Sequence, residues 1–291
     1  MFEGFETRRL DVGDAVINAR VGGSGPPLLL LHGYPQTHAL WHRVAGPLAE
    51  RFTVVATDLR GYGDSTGPTP EPSGANYTFR NMAADQVRAM QALGFPRFRL
   101  AGHDRGARTA HRLTLDHPDA VERLALLDIQ PTHYAWTEMP AGIAKRAWHW
   151  ILCAQPHDLA ERFMTSVDPD WLLGRLIPAG PHGRDAMSDE SYAEYRRCLT
   201  PAMIAASCAD YRAFSSLDVQ HDEVDRDAGR KVECPLLTMW GEHYDSYDML
   251  ELWGRYAFDV RGGVVPGAGH YLPEEAPDAV LRELSTFFGG A

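Results

Sequence analysis

The residues with the clearest chemical potential lie in "GHDRG", Gly102 to Gly106, a Gly-x-Asp-x-Gly frame that follows an apolar run and opens a helical pattern. Two glycines around a sharp strand-to-helix turn lift the central side chain out of the backbone, so Asp104 occupies the place of an exposed nucleophile. The pentapeptide alone equally suits an aspartate that caps a helix. Two later residues favour the chemical reading. "ALLDI" puts Asp128 at the end of the next strand, and "PGAGHYLPEEAP" puts His270 in a glycine-rich loop after the last one, in the chain order nucleophile, acid, histidine. A carboxylate with an ordinary pKa of ~3.9 is ionised at neutral pH and attacks without a base, which leaves His270 for a later step. Attack at a saturated carbon bearing a leaving group gives an ester that water can cleave. Attack at an acyl carbon would give an anhydride. The elbow therefore points to displacement.

Arg105 and Arg108 stand in the first turn of the following helix, where the helix dipole disfavours cations. An anionic substrate beside the elbow reverses that sign, because guanidinium groups grip carboxylates through paired N–H bonds. Salt bridges from both arginines to surface acids are the alternative. "HGYPQTHALW" places His32-Gly33 directly after a strand, with backbone N–H groups available to face the elbow.

Elements that position these residues are legible in outline. "PPLLLLHG", "FTVVATD", "FRLAGHD", "RLALLDI" and "PLLTMWGE" are apolar runs too continuous for a sheet with one wet face. Between them lie helical patterns, the best over Asn81–Gly94, so the expected class is α/β with a mostly parallel, doubly wound sheet. The opening "ETRRLDVGDAVINARVGGSG" alternates in period two around Gly-Asp, as an antiparallel hairpin does. From Tyr134 to Lys231 the strand rhythm disappears, and "VECPLLTMWG" restores it. The expected organisation is a core of 1–133 and 232–291 with 134–231 inserted as a helical cap.

The bulk properties exclude several classes of function. The chain has 291 residues and a net charge of −11, which argues against non-specific binding to nucleic acid or acidic membranes. Its four cysteines form no C-x-x-C pair and read as free thiols of a reduced compartment. The N-terminus lacks an apolar leader and no apolar run is long enough to span a bilayer, so a cytoplasmic protein is expected.

With these motifs in view, the chain resembles the α/β-hydrolase family and, within it, the haloacetate (fluoroacetate) dehalogenases. The match runs through "HGYPQTH", "DLRGYGDS", "GHDRGARTAHR", "LLDI", "WHW", "DYRA" and "GAGHYL". The resemblance implies an α/β-hydrolase fold with an inserted helical cap. It implies Asp104 as nucleophile, Asp128 as the acid, His270 as the base, Arg105 and Arg108 as the carboxylate-binding pair, and His149, Trp150 and Tyr211 as halide ligands. It further implies an oxyanion and pocket wall from His32, Gly33 and Tyr34, a small haloacid as partner, a homodimer, and no cofactor or metal. Imidazole, indole and phenol groups suit halide departure because they donate from rigid, largely apolar frames. Asp245, in "WGEHYDSYD", competes with Asp128 for the acid's role. Tyr34 stands where the family commonly has phenylalanine. "DPDWLLGRLIPAGPHG" is altered where the family carries a further pocket tryptophan, with Trp171 the only tryptophan in that stretch. An epoxide hydrolase shares the aspartate elbow but opens a neutral ring with two cap tyrosines, and a haloalkane dehalogenase typically has tryptophan where Arg105 stands. A non-catalytic receptor on the same fold would be expected to lose a member of the triad, and all three positions are filled.

Overall fold

The computed structural model describes residues 1–138, 145, 147–244 and 248–290. Eight strands form one sheet: β1 (Glu6–Asp11), β2 (Val16–Gly22), β3 (Pro27–Leu31), β4 (Thr53–Thr57), β5 (Phe98–His103), β6 (Val121–Leu127), β7 (Leu236–Gly241) and β8 (Val260–Val265). Their spatial order is β1-β2-β4-β3-β5-β6-β7-β8. β1, β2 and β4 pair antiparallel, and every neighbour from β4 onward is parallel. The five apolar runs are β3 to β7. β8, "VRGGVV", carries an arginine and two glycines and is mostly exposed, so it does not read as a buried run.

Alternate side chains of one strand feed opposite faces. Leu29 and Leu31 join the core under α2 (Phe79–Ala92) and α3 (Arg105–Asp116), whereas Leu28 and Leu30 meet α1 (His42–Ala49) and α13 (Pro277–Gly289). Both faces are thus covered, as a parallel sheet requires. The helix expected over Asn81–Gly94 starts two residues earlier, because the Thr78 side chain accepts the Asn81 N–H and caps it there. Gly94, with φ of 85°, supplies the stop.

Between β6 and β7 the described residues contain no strand. They form α4 (Thr132–Thr137), α5 (Trp148–Cys153), α6 (Leu159–Ser166), α7 (Pro169–Leu176), α8 (Asp189–Cys198), α9 (Pro201–Phe214) and α10 (Leu217–Asp227). After β7 come α11 (Met249–Gly254), β8 and the short α12 (Leu272–Glu275). The four cysteines are free, and among the described residues no helix is long and apolar enough to cross a membrane.

Candidate active site

Asp104 is the single residue between β5 and α3, with φ 49° and ψ −115°. A non-glycine residue there costs on the order of 1–3 kcal/mol and persists only when its surroundings over-determine it. The glycine frame shows how. A Cβ on Gly106 would lie 2.4 Å from the His32 carbonyl oxygen, and one on Gly102 would lie 2.5 Å from that of Gly106. Bare backbone at both positions lets α3 press onto β3 and β5. Gly33 is equally constrained, since its Cβ would lie 2.5 Å from that of Asp104.

The carboxylate's two oxygens have different surroundings. Oδ1 accepts the Tyr34 backbone N–H at 3.0 Å, while Oδ2 lies 3.8 Å from His270 Nε2. Burial by itself would favour the protonated acid. The opposing pull of His270, His103, Arg105 and the Tyr34 N–H is larger, and the pKa falls to about 2. Asp104 is therefore a buried anion at neutral pH.

Asp128 follows β6, again with φ of 49°. Its Oδ1 accepts the Gly241 N–H at 2.9 Å, and Oδ2 has no hydrogen-bond partner among the described residues. A carboxylate oxygen of Asp128 and ring nitrogens of His270 and His103 lie within 4.8 Å of one another. Burial pushes the Asp128 carboxyl well above the usual range, opposed by the Gly241 N–H. Burial therefore favours its neutral form, and a positive charge beside it is what would favour the anion. The competing Asp245 lies outside the described residues. Among those described, the same three side chains are the one group with metal-ligand composition, and His103 Nε2 is already bonded to the His270 carbonyl oxygen at 2.8 Å.

The two arginines differ sharply. Arg105 is locked to the buried Asp210 through Nε at 2.9 Å and a short Nη2 contact, and its guanidinium lies over the Tyr211 ring at 4.1 Å. Tyr62 donates to the same carboxylate at 2.7 Å. Arg105 thus makes a salt bridge, as the alternative reading held, but to a fully buried acid and not to one at the surface. Arg108 instead gives Nη1 to the Gln130 carbonyl at 2.9 Å, while its Nε and Nη2 have no partner among the described residues. Burial, reinforced by Arg105, lowers its pKa to about 10, with Asp104 opposing.

The structure brings the aromatic candidates together. The His149 ring stacks on Tyr34 at 5.6 Å and meets Tyr211 edge-on at 5.6 Å, with Trp150 at 6.5 Å. Burial lowers the His149 pKa to about 4, so the ring is neutral, and the Tyr211 hydroxyl has no partner among the described residues. A cavity of about 220 Å³ is lined by Asp104, His270, Tyr34, His149 and Trp150, among others. Arg105, Arg108 and Tyr211 are not among its lining residues.

His32 is not among the residues that line the cavity. Its ring is fully buried, with Nδ1–H donating to the Gly33 carbonyl at 2.8 Å and Nε2 accepting the Leu59 N–H at 3.1 Å. Burial lowers its pKa to about 4, and this neutral ring braces the loop whose Tyr34 N–H reaches Asp104. Trp171 is 52% exposed and lines a separate groove with Trp148 and Phe163, away from Asp104. Sequence reasoning passes over Tyr244, stacked on His270 at 4.6 Å, and gives Asp210 no role beyond flanking Tyr211 in "DYRA". For Asp210 a signal existed, an acid beside Tyr211 on a largely apolar helix whose one other charged residue is Arg212.

The α/β hydrolase fold family matches residues 26–151. The chain is 46% identical to a fluoroacetate dehalogenase from Burkholderia sp., with the alignment covering 100% of this chain and 96% of that protein. It is 33% identical to a soluble epoxide hydrolase from Corynebacterium sp. (strain C12), covering 91% of each. A crystal structure from Nostoc sp. PCC 7120, assigned to the α/β hydrolases, superposes with a TM-score of 0.93 at 44% identity and full coverage of both chains.

Proposed function

The chain belongs to the haloacetate dehalogenases of the α/β-hydrolase superfamily, and from that premise we propose that it hydrolyses small 2-haloacids such as fluoroacetate or chloroacetate to the 2-hydroxy acid and halide through an ester of Asp104. The observation that carries the choice of an acid substrate is Arg108, a buried cation near Asp104 with two N–H-bearing nitrogens unpartnered among the described residues. A neutral epoxide carries no negative charge to pair with such a group.

In this reading Asp104 Oδ2 attacks the carbon bearing the halogen, and the carbon–halogen electron pair leaves with the halide. Neutral N–H and O–H donors of His149, Trp150 and Tyr211, carried by a cap of residues 134–231, replace the water of the departing ion. Arg108 holds the substrate carboxylate, and Arg105, charged but tied to Asp210, adds positive potential and rigidity. Water then loses a proton to His270 and attacks the ester carbonyl of Asp104. Asp128 stabilises the imidazolium that forms. The oxyanion develops on Oδ1, which already receives the Tyr34 N–H at 3.0 Å. Collapse releases the hydroxy acid and restores the carboxylate, and His270 returns its proton to solvent.

A panel of fluoroacetate, chloroacetate, bromoacetate, an epoxide and a haloalkane, assayed for halide and proton release, tests the assignment. Haloacid turnover is expected, and His270→Asn should accumulate an Asp104 ester detectable by mass spectrometry. Epoxide opening without halide release from any acid overturns it.

A further inference from the structure

The stretch that carries His270, "GAGHYLPEE", ends in two acids that the proposed reaction does not use. Glu275 closes α12, and its carboxylate is turned back onto the loop. Oε2 accepts the Gly269 N–H at 2.6 Å and Oε1 accepts the Tyr271 N–H at 2.7 Å. These are the amides on either side of His270. Backbone held at both flanks by bonds to a charged acceptor fixes where the intervening ring points.

The same Oε2 meets His182 Nδ1 at 2.9 Å. His182 belongs to the turn between α7 and α8, in the segment inserted between β6 and β7. Its seat depends on Gly269, where a Cβ would lie 2.7 Å from that of His182. The His182 ring also lies 4.5 Å from the ring of His243, and both line the cavity beside His270. One carboxylate thus joins the inserted segment, the cavity wall and the loop of the base.

We propose that Glu275 is a positioning residue for His270 and that His182 is the clasp by which the inserted segment holds Glu275. What His270 does rests on the dehalogenase reading above; the anchoring does not. Alkylation of Asp104 uses the elbow and the halide donors. Ester hydrolysis needs the imidazole beside the ester carbonyl. Loosening the clasp therefore slows the second step alone.

The test compares Glu275→Gln and His182→Ala with the wild type in two ways. In rapid-quench assays with chloroacetate, the halide burst should stay within about twofold while ester decay slows about 10- to 100-fold in Glu275→Gln and less in His182→Ala, the range expected for small misplacement of a reacting group. Without substrate, hydrogen exchange at the Gly269 and Tyr271 amides should accelerate in both variants. Equal slowing of burst and decay, or faster exchange with ester decay unchanged, overturns the positioning role. Unchanged exchange in both variants overturns the clasp. Absence of halide from the wild type fails the dehalogenase reading instead, and the exchange arm still decides the anchoring.

Discussion

The two arginines of the elbow helix carry the same charge three residues apart and do different work. Arg105 is paired with Asp210 through Nε and Nη2, so Arg105→Leu strands a buried carboxylate and should cost about 3–5 kcal/mol of stability. Arg108 keeps N–H capacity in reserve among the described residues, so Arg108→Leu should spare the fold and lower kcat/KM for chloroacetate by the equivalent of roughly 2–5 kcal/mol. Chloroacetamide, lacking the carboxylate, should lose far less. Thermal melts and paired kinetics on acid and amide separate the two effects. Equal losses on both substrates would show that Arg108 supports the elbow instead of gripping the acid.

At the scale of elements, the site depends on how closely α3 approaches β3 and β5. Gly106 is the point of contact, with the His32 carbonyl oxygen 2.4 Å and the Leu31 carbonyl oxygen 2.5 Å from where a Cβ would sit. Backbone atoms cannot rotate away as a side chain can. Gly106→Ala should therefore destabilise by about 1–3 kcal/mol or more and depress the halide burst, because the shift moves Asp104 off its Tyr34 N–H. Gly263, in the edge strand β8, has open space at its Cβ position, and Gly263→Ala should stay within about 0.5 kcal/mol. Melting temperatures and burst amplitudes of the pair check this. A neutral Gly106→Ala would mean that the helix can back away without cost.

For the whole molecule, the inserted segment is tied to the core by adjacent acids. Glu275 holds His182, and Glu274 accepts the Tyr195 hydroxyl of α8 at 2.6 Å. Glu274 is fully buried, and desolvation pushes its pKa up to about 7 against the pull of Tyr195 and Arg43. A carboxyl with a raised folded-state pKa binds its proton more tightly when folded. Its contribution is full below the ordinary value and is lost as pH rises to about 7, then stays level. Asp222, raised to about 6 by burial, acts in the same direction over a lower range. Asp104, lowered to about 2, has the opposite sign, and its contribution is lost only as pH falls below the ordinary carboxylate range. Glu274 by itself should therefore lower stability between about pH 5 and 7, by roughly 3 kcal/mol, while the buried rings of His32 and His149, lowered to about 4, raise it as pH climbs to their ordinary value of about 6.5. Denaturant melts of Glu274→Gln and the wild type across the range isolate that decline as the difference between the two curves, the variant gaining relative to the wild type as pH rises. A slope unchanged in this variant assigns the decline elsewhere.

Much of the architecture was legible in the chain alone. Runs such as "LLLL" and "LALL" are apolar at every position, and only a strand covered on both faces needs that, so β3 to β7 and the parallel sheet follow from composition. The elbow was legible because two glycines and an acid at fixed spacing have few other uses. β8 was not, since an edge strand with one exposed face tolerates Arg261, Gly262 and Gly263 and loses the apolar signal. Partner choice was the part that only the tertiary structure decided. Arg105 and Asp210 are 105 positions apart, and His182 and Glu275 are 93 apart. No local pattern tells a guanidinium paired with a carboxylate from one that is not. His32 and Tyr34 differ by two residues, yet one ring turns inward to brace the loop and the other residue's N–H reaches the nucleophile. Residue types and order along the chain state which chemistry is available. Burial and three-dimensional pairing decide which of those groups are left to perform it.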